Sequence, residues 1–394
     1  MISRNIKELI RGSSVIRAMF EEGKRLALQY GSENVYDFSL GNPWVEPPTE
    51  IKASILNILE NEKPNRIHGY MNNSGFEDAR EIIAKRLSID SESTFGSEHI
   101  VMTVGASGAL NILLKTLIDP GDDVVVFAPF FGEYRNYVSN FGGNIIIVPP
   151  DTDSFMPNLT ELEHRISFST KALIINSPNN PSGAVYDEDT IKKLAELLEK
   201  KQNEHGHEIY LISDEPYREI VFEDIHIPYI TNLYSNSFIS YSYSKALSLP
   251  GERIGYLAAS PSISDVEDVI NGLNVANRIL GFVNAPSLFQ LIVSRCETSA
   301  VDVSIYKKNR DLLFSNLTGL GFSCIKPQGA FYMFPRSLEE DDVAFCAKAK
   351  DFRLLLVPGS AFACPGFFRL AFCVDPDMAE RSLEAFEKLA QAYK

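Results

Sequence analysis

Residues 242–255 read Ser-Tyr-Ser-Lys-Ala-Leu-Ser-Leu-Pro-Gly-Glu-Arg-Ile-Gly, and no other stretch of the chain is as informative. The amine of Lys245 stands beside the hydroxyls of Ser242 and Ser244, and the guanidinium of Arg253 follows between glycines. An apolar run precedes the stretch and predicts a strand that ends in this loop. A lysine at a strand end, among groups suited to phosphate, favours a Schiff base with an aldehyde cofactor that carries a phosphate. A solvent lysine, the alternative, needs neither the serines nor the glycine-flanked arginine.

The length and charge of the chain limit the classes of protein that it can be. The chain has 394 residues and a formal net charge of −15. This length suits one large domain plus a smaller one. The acidic balance argues against a nucleic-acid surface and against an anionic membrane partner. Residues 1–12 lack the apolar run of a signal peptide, and no stretch is long enough to span a membrane, so we expect a cytoplasmic protein.

The cysteines indicate a reduced protein. Their number is odd, their spacing is wide and no Cys-x-x-Cys occurs, so we expect free thiols rather than a disulfide framework or a zinc site. The histidines show no metal-ligand spacing either, and we predict no metal site. The five cysteines are Cys296, Cys324, Cys346, Cys364 and Cys373.

Short apolar runs alternate with helical patterns between residues 100 and 260. Several of these runs are apolar throughout, as expected of strands that are covered on both faces. The alternation predicts an α/β fold with a mostly parallel sheet of seven strands covered by helices. Ligands of such sheets gather at the carboxyl ends of the strands. The predicted strands are residues 101–104, 123–127, 144–148, 172–175, 209–212, 238–241 and 254–258.

The chain after residue 284 has a different pattern. We predict a long helix over residues 286–310, a strand opened by a turn over 327–334, and a last strand over 368–372. An amphipathic helix ends the chain, with Leu383, Phe386, Leu389 and Ala390 on one side. This half predicts a smaller α+β domain that also recruits the N-terminal helix. The predicted boundaries are 48–285 for the large domain and 1–47 plus 286–394 for the small domain.

The first strand of the sheet ends in small residues. Gly105, Ala106 and Ser107 follow it, and we predict a helix from Ala109 onward. Small residues allow backbone N–H groups to close on an anion, and a helix N-terminus adds a positive dipole. Many strand-to-helix turns are small and polar. Together with the serines and the arginine of residues 242–255, however, this turn predicts a phosphate site.

Asp214 ends another apolar run, in Leu-Ile-Ser-Asp-Glu-Pro-Tyr at residues 211–217. A buried carboxylate needs a partner, because an unpaired charge is costly in the interior. A protonated pyridine nitrogen is one such partner, and the pair keeps the ring cationic. Tyr217 lies close enough in sequence to reach a phenolic oxygen of the same ring. A surface turn is the alternative, and this segment alone does not decide between the two.

Two further polar residues interrupt apolar or turn segments. Asn180 lies in Asn-Ser-Pro-Asn-Asn-Pro-Ser-Gly, residues 176–183, which alone is a turn sequence. Arg369 stands inside the last predicted strand and should not be fully buried without a partner. A bidentate carboxylate would satisfy it, and an internal salt bridge is the alternative.

These segments, in this order, resemble the class I and II aminotransferases, which are fold-type I pyridoxal-phosphate enzymes related to aspartate aminotransferase. The resemblance runs from about Ser13 to the last helix. It implies an α/β, fold-type I architecture and pyridoxal 5'-phosphate as the cofactor. It also implies that Lys245, Asp214 and Tyr217 are the catalytic residues.

The resemblance assigns cofactor contacts to single residues. It places Phe131 against the face of the cofactor, although a core phenylalanine is the alternative for either Phe130 or Phe131. It implies that Tyr70, in Tyr-Met-Asn-Asn-Ser-Gly, reaches the phosphate of the neighbouring subunit, which makes the protein a homodimer with shared active sites. An ordinary loop tyrosine is the alternative. The implied cofactor-binding residues are Gly105, Ala106, Ser107, Phe131, Asn180, Asp214, Tyr217, Ser242, Ser244, Lys245, Arg253 and Tyr70.

The resemblance also assigns the substrate side. Arg369 would bind the substrate α-carboxylate with Asn180, and the loop at Gly41, in Ser-Leu-Gly-Asn-Pro, would close over it. One aspartate-specific branch reads a second carboxylate with a lysine where this chain has Ser107. Another branch uses an arginine, for which Arg278 is one residue out of register and Arg17 is a second candidate. Specificity for a dicarboxylate therefore stays open.

The function implied is transfer of an amino group between an L-amino acid and a 2-oxo acid by a ping-pong mechanism, with an aspartate-like or glutamate-like substrate. Lys245 would form the Schiff base and carry the proton. A carbon-sulfur β-lyase of the cystathionine type would use the same cofactor and lysine, and stays an alternative. A pyridoxal-phosphate-binding regulator is disfavoured by the acidic charge and by the lack of an appended helix-turn-helix segment.

Overall fold

The structure is a computed structural model that describes residues 2–3, 6–7, 9–10 and 15–394, with the backbone alone described for residues 15–21. Its strands form one large sheet and two small ones. In chain order they are β1 (Tyr36–Asp37), β2 (Ile100–Thr103), β3 (Asp123–Phe127), β4 (Asn144–Val148), β5 (Thr170–Asn176), β6 (Tyr210–Asp214), β7 (Ser237–Ser242), β8 (Gly255–Ala259), β9 (Tyr332–Met333), β10 (Leu354–Leu355), β11 (Val357–Pro358) and β12 (Phe368–Ala371).

The large sheet has seven strands in the order β2-β8-β7-β6-β5-β3-β4. β8 runs antiparallel to both of its neighbours, and the other neighbouring pairs are parallel. All seven predicted strands are present, with ends that differ from the prediction by at most two residues. β7 and β8 are buried along their whole length, because helices cover both faces of the sheet. The prediction of a mostly parallel α/β sheet is confirmed.

The helices surround this sheet and build the remainder of the protein. In chain order they are α1 (Val15–Tyr30), α2 (Thr49–Asn61), α3 (Pro64–His68), α4 (Glu77–Asp90), α5 (Gly105–Leu117), α6 (Tyr134–Ser139), α7 (Leu159–Arg165), α8 (Glu188–His205), α9 (Tyr243–Ala246), α10 (Val266–Ile279), α11 (Ser287–Arg295), α12 (Ser304–Leu320), α13 (Asp342–Ala349) and α14 (Pro376–Gln391). Short 3₁₀ helices lie at Ser32–Asn34, Ser97–His99, Ile230–Asn232, Lys350–Phe352 and Gly359–Phe362.

The predicted long helix over residues 286–310 is wrong, because α11 and α12 are separate helices. The backbone N–H of Ser299 donates to the carbonyl of Cys296 at 2.9 Å, which closes a turn after α11. The N–H of Val301 then donates to the carbonyl of Ala246 at 3.1 Å. The segment between the two helices is therefore held against the residue that follows Lys245.

Two other element boundaries also differ from the prediction. α5 begins at Gly105 rather than at Ala109, so the small residues after β2 are its first turn. The predicted strand over residues 327–334 is reduced to β9. Gln328 and Gly329 donate their backbone N–H groups to the carbonyl of Gly183 instead of to a strand.

The parallel arrangement brings the ends of several strands to one edge of the sheet. Asn176, Asp214 and Ser242 are the last residues of β5, β6 and β7, which are neighbours in the sheet. Since parallel strands point the same way, these side chains share the carboxyl edge. The turn into α5 follows β2, which points in the same direction because both β2 and β7 run antiparallel to β8.

A separate apolar cluster lies outside the large sheet. It joins α12, α14 and the strands β9 and β12 to residues at the start and middle of the chain. α14 contributes the buried Phe386, Leu389 and Ala390, while Leu383 is half-buried beside them. The members from earlier in the chain are Tyr36, Phe38, Tyr217, Ile220 and Phe222.

The five cysteines are free thiols, and four of them are buried. Burial raises the pKa of the Cys373 thiol to about 12. Among the helices that the structure describes, none is both long enough and apolar enough to cross a bilayer.

Candidate active site

A cavity of about 280 Å³ opens at the carboxyl edge of the large sheet. It brings together residues that are far apart in the sequence, from the loop before α2 to β12. The predicted site residues that line it are Gly41, Ala106, Ser107, Phe131, Asn180, Asp214, Tyr217, Ser242, Ser244, Lys245, Arg253 and Arg369. Further lining residues are Ser39, Leu40, Leu110, Asn176, Pro216, Pro250 and Tyr332.

Lys245 lies in α9, the single turn of helix that follows β7. The Ser242 hydroxyl caps this turn by accepting the backbone N–H of Ser244. The Lys245 Nζ donates to the carbonyl of Gly41 at 2.6 Å. The side chain borders the cavity and is only partly buried, yet protein atoms surround the amine closely enough that burial lowers its pKa to about 8. The nearby guanidinium groups of Arg253 and Arg369 lower that pKa further.

Hydroxyls and a guanidinium form an anion-binding corner of the cavity. The hydroxyls of Ser242 and Ser244 lie 2.8 Å apart, and Arg253 Nη1 donates to the Ser244 hydroxyl at 3.4 Å. Arg253 also donates to the carbonyls of Val104 and Pro250, and it forms no ion pair among the described residues. The N-terminus of α5 points into the same corner with Ala106 and Ser107. A phosphate would find N–H donors, hydroxyls and one unpaired cation here.

Gly105 does not line the cavity but keeps this corner compact. Its φ of +79° lies in the left-handed region, and a Cβ there would lie 2.7 Å from Arg253 Nη2. Only glycine adopts this backbone angle readily and also leaves room for a guanidinium at this distance.

Asp214 is buried at the bottom of the cavity. Its Oδ2 accepts the hydroxyl of Tyr134 at 2.6 Å, while its Oδ1 is buried and has no hydrogen-bond partner among the described residues. Burial raises the pKa of the carboxyl to about 7 although the Tyr134 hydroxyl opposes this shift. A buried carboxylate with an unsatisfied oxygen calls for a cationic N–H group. The protonated ring nitrogen of pyridoxal phosphate meets that requirement.

Tyr217 and Asn180 lie between the Asp214 end and the Arg369 end of the cavity. The Tyr217 hydroxyl lies 3.0 Å from the hydroxyl of Tyr332, and burial raises the pKa of Tyr217 well above its usual value. The Asn180 backbone N–H donates to Asn176 Oδ1 at 2.7 Å, and its Oδ1 accepts from Arg369 Nη1 at 3.1 Å. This leaves the Asn180 amide nitrogen as a donor for a ligand.

Arg369 projects from β12 and is 3% exposed. Its Nη2 donates to the carbonyl of Ser39 at 2.6 Å, and its guanidinium lies over the rings of Tyr332 and Phe362 at 4.5 and 4.9 Å. Its Nε is buried without a hydrogen-bond partner, and it forms no ion pair among the described residues. Arg369 therefore does not form the internal salt bridge that was the alternative with any residue that the structure describes. A carboxylate in the cavity would complete the coordination of this arginine.

The structure distinguishes Phe130 from Phe131, which were the two alternatives for the residue against the face of the cofactor. Phe131 is half-buried and lines the cavity, whereas Phe130 is buried in the apolar core. Tyr70 is 95% exposed and lies in a different cavity, of about 200 Å³, between His68 and Ser287. It therefore does not contribute to the Lys245 cavity of its own chain.

Of the two arginines predicted for a second substrate carboxylate, Arg278 is not among the residues that line the cavity. Arg278 is exposed near the end of α10. The side chain of Arg17 lies outside the described residues. Ser107 does line the cavity, and its hydroxyl cannot replace the charge of a lysine.

Sequence reasoning missed Tyr134, Tyr332 and Asn176. Tyr134 follows an aromatic pair, and Tyr332 lies in Gly-Ala-Phe-Tyr, so both resemble core residues in the sequence. Asn176 opens the segment that contains Asn180, and this proximity was the one available signal. The Asn176 side chain fixes two neighbours, because Nδ2 donates to the carbonyl of Asp214 at 2.7 Å and Oδ1 accepts from Asn180.

Gly41 is a position where any side chain would disturb the cavity. A Cβ there would lie 1.8 Å from the hydroxyl of Tyr332. We expect Gly41→Ala to lower the free energy of unfolding by about 1–3 kcal/mol, because the loop or the tyrosine must move. Urea denaturation measures this change.

Gly319→Ala is the matched control, since Gly319 lies in α12 and a Cβ there meets nothing within 4 Å. It should raise the free energy of unfolding by up to about 1 kcal/mol, through the helix propensity of alanine. Unchanged stability of Gly41→Ala would mean that the Tyr332 hydroxyl leaves this position easily.

Comparison with known proteins identifies the family. The family model for aminotransferases of class I and II matches residues 32–386. The chain is 29% identical to the aspartate aminotransferase of Thermotoga maritima, covering 99% of this chain and 98% of that protein.

Solved structures agree with this match. An amino transferase from Eubacterium rectale is 44% identical, with a TM-score of 0.97 and 100% of both chains covered. The aspartate aminotransferase of Thermus thermophilus with maleate is 26% identical, with a TM-score of 0.87 and 99% of both chains covered. The chain is thus an aminotransferase with the α/β architecture of fold-type I, and it belongs to the class I and II aminotransferase family.

Proposed function

We propose that the protein is a pyridoxal-phosphate-dependent aminotransferase that moves an amino group between an L-amino acid and a 2-oxo acid in a ping-pong reaction. The observation that carries the proposal is that Lys245, Asp214 Oδ1 and Arg369 Nε share one cavity, and that the last two atoms have no hydrogen-bond partner among the described residues. When bound, the cofactor supplies an aldehyde that reacts with amines and a ring that withdraws electrons from the substrate α-carbon.

Lys245 is the residue that we assign to covalent attachment and to proton transfer. Its pKa of about 8 leaves an appreciable fraction of the amine neutral near physiological pH. A neutral amine is both a nucleophile and a base, so Lys245 takes the proton from the substrate α-carbon and returns it as an acid.

The remaining residues hold the cofactor at three points. The first turn of α5, Ser242, Ser244 and Arg253 would bind its phosphate. Asp214 would accept the ring N–H, and Tyr217 with Asn180 would donate to the phenolic oxygen. Phe131 would pack against the face of the ring.

The substrate side is proposed from Arg369. Its guanidinium would bind the α-carboxylate with Asn180, and the loop at Gly41 would close over this carboxylate. We propose an aspartate-like or glutamate-like substrate, since two of the three similar proteins named above are aspartate aminotransferases. Any second substrate carboxylate needs a further cation, and Arg17 and Arg278 are the residues proposed for it.

A spectral screen of the purified enzyme tests this function. Each of the twenty amino acids is mixed with the cofactor-loaded enzyme in a stopped-flow instrument, and the loss of cofactor absorbance is followed. A dicarboxylic amino acid should react fastest, and a 2-oxo acid should restore the spectrum. Release of pyruvate from cystathionine without any acceptor would instead indicate the β-lyase reaction.

We also propose the domain division predicted from the sequence, with residues 48–285 in the large domain and 1–47 plus 286–394 in the small domain. The apolar cluster around α12, α14 and β12 supports it, since this cluster lies outside the large sheet. Tyr217, Ile220 and Phe222 of the large domain also belong to that cluster, so the two domains share apolar packing.

We propose a homodimer in which Tyr70 binds the phosphate in the partner's site. The exposed position of Tyr70, away from its own Lys245 cavity, supports this arrangement. Light scattering should give twice the chain mass of 44.0 kDa. Tyr70→Phe should lower kcat/KM about tenfold, because it removes one hydrogen bond to a charged group.

A mixing experiment tests whether the site is shared. Each mixed dimer of Tyr70→Phe and Lys245→Ala chains has one site with both residues intact, so mixing should restore roughly a quarter of wild-type activity. Tyr30→Phe, at another exposed tyrosine, is the control and should leave activity unchanged. No gain on mixing would assign Tyr70 to its own chain, and an active monomer would rule out the shared site.

A further inference from the structure

The bottom of the cavity contains a buried tyrosine for which the proposed function gives no role. Tyr134 is 1% exposed and begins α6, directly after the loop of Phe130 and Phe131. Its ring stacks on Phe130 at 6.3 Å and meets the edge of Phe131 at 5.7 Å. This packing fixes the ring, so the hydroxyl has one direction available to it.

The hydroxyl is directed at Asp214. It donates to Oδ2 at 2.6 Å, and the other oxygen, Oδ1, has no partner among the described residues. The backbone of Asp214 is held separately, since Asn176 Nδ2 donates to its carbonyl at 2.7 Å. Tyr134 is thus the group that decides which carboxylate oxygen stays free in the cavity.

We infer that Tyr134 is a positioning residue that holds Asp214 ionised, with Oδ1 presented to the ring nitrogen of the bound cofactor. The inference rests on the proposed function and extends it by one residue. Tyr134 acts through Asp214, because the hydroxyl already donates to the other oxygen of that carboxylate.

The chemistry of the pair favours this role. Burial and the Asp214 carboxylate both raise the pKa of Tyr134 well above its usual value, so the tyrosine keeps its proton and remains a donor. Burial raises the pKa of Asp214 to about 7, and the donated hydrogen bond opposes that rise. Without the hydroxyl, the neutral acid would be favoured, and a neutral acid pairs poorly with a cationic ring.

Other groups around Asp214 do not replace the tyrosine. Glu215 raises the pKa of Asp214 through like charge. The hydroxyl of Ser240, the strand neighbour of Asp214 on β7, lowers this pKa, but by less than the Tyr134 hydroxyl does. Lys245, Arg253 and Arg369 lie elsewhere in the same cavity. The remaining titratable groups that face Asp214 are Tyr137 of α6 and Tyr217 of the loop after β6.

Binding of pyridoxal phosphate to the apoenzyme tests the inference without any turnover. Tyr134→Phe keeps the ring and removes one oxygen atom, so packing is retained. We expect about tenfold weaker binding at pH 7.5, by equilibrium dialysis, from the loss of one hydrogen bond to a charged group. Wild-type affinity should fall as pH drops through about 7, and in the variant this fall should occur at higher pH.

Tyr234→Phe is the matched control, because Tyr234 is also buried and its hydroxyl donates to the carbonyl of Ile209 at the same 2.6 Å. It should bind the cofactor like the wild type. Equal affinity and equal pH dependence of Tyr134→Phe and the wild type would overturn the inference, as would an equal loss in Tyr234→Phe. If the wild-type apoenzyme binds no pyridoxal phosphate, the proposed function fails instead.

A double-mutant cycle separates positioning from general packing. In an Asp214→Asn background, Tyr134→Phe should cause no further loss of affinity, since the carboxylate through which it acts is gone. A second loss of about tenfold in that background would show that Tyr134 acts independently of Asp214 and would reject the inference.

Discussion

Lys245→Ala is expected to lower turnover by at least about 10⁴-fold, because the variant loses both a nucleophile and the base that moves a proton. The purified variant should still bind pyridoxal phosphate, since the α5 turn, Arg253 and Asp214 do not depend on the amine. Transamination with saturating amino acid and 2-oxo acid measures the first expectation, and equilibrium dialysis measures the second.

Two control variants separate the chemistry of Lys245 from its charge. Lys245→Arg retains a cation, but arginine stays protonated and does not serve as a base, so turnover should remain as low as in Lys245→Ala. Lys193→Ala removes an exposed lysine that forms an ion pair with Asp189 on the surface of α8, and it should leave activity unchanged. Turnover within tenfold of the wild type in Lys245→Ala would reject the assignment.

The lowered pKa of Lys245 predicts that the rate of its reaction with the cofactor depends on pH. Burial favours the neutral amine and lowers the pKa to about 8, so the reactive fraction of the amine rises as pH increases through 8. Covalent attachment of pyridoxal phosphate to the apoenzyme should therefore become faster between pH 7 and pH 9. An unburied lysine would show this rise nearer its ordinary pKa, more than two units higher.

The elements that sequence reasoning located are those encoded in continuous stretches. The strands of the large sheet are apolar runs, and Asp214 and Lys245 stand at or just beyond the ends of two of them. Since parallel strands bring their carboxyl ends together, the meeting of these residues in one cavity could be predicted.

The elements that sequence reasoning missed depend on contacts between distant residues. The Tyr134 hydroxyl meets Asp214 across 80 positions, and Tyr332 meets Tyr217 across 115. Neither pair has a local signal, because aromatic residues in apolar segments are most often core residues.

Helix boundaries were missed for the same reason. No proline or glycine lies in residues 296–303, so neither of the strongest helix breakers indicates that the helix after Pro286 stops at Arg295. The break is stabilised by the bond from Val301 to the carbonyl of Ala246, which is a tertiary contact.

Arg369 carries the second large expected effect. Its guanidinium is buried, forms no ion pair among the described residues, and has an unpartnered Nε beside the cavity. A bidentate carboxylate contact contributes roughly 1.5–3 kcal/mol or more. Binding energy that orients the substrate also speeds the chemical step, so kcat should fall together with affinity.

We expect kcat/KM to fall at least about tenfold in Arg369→Lys, which keeps the charge but loses the planar fork, and further in Arg369→Ala. The absorbance of the resting cofactor should be almost unchanged, because Arg369 serves the substrate side of the cavity. Arg336→Ala is the control, since Arg336 is exposed, lies over the ring of Phe367 and does not line the cavity. If Arg369→Ala unfolds the protein, or keeps wild-type kcat/KM on every amino acid tested, the arginine is structural and the α-carboxylate is bound elsewhere.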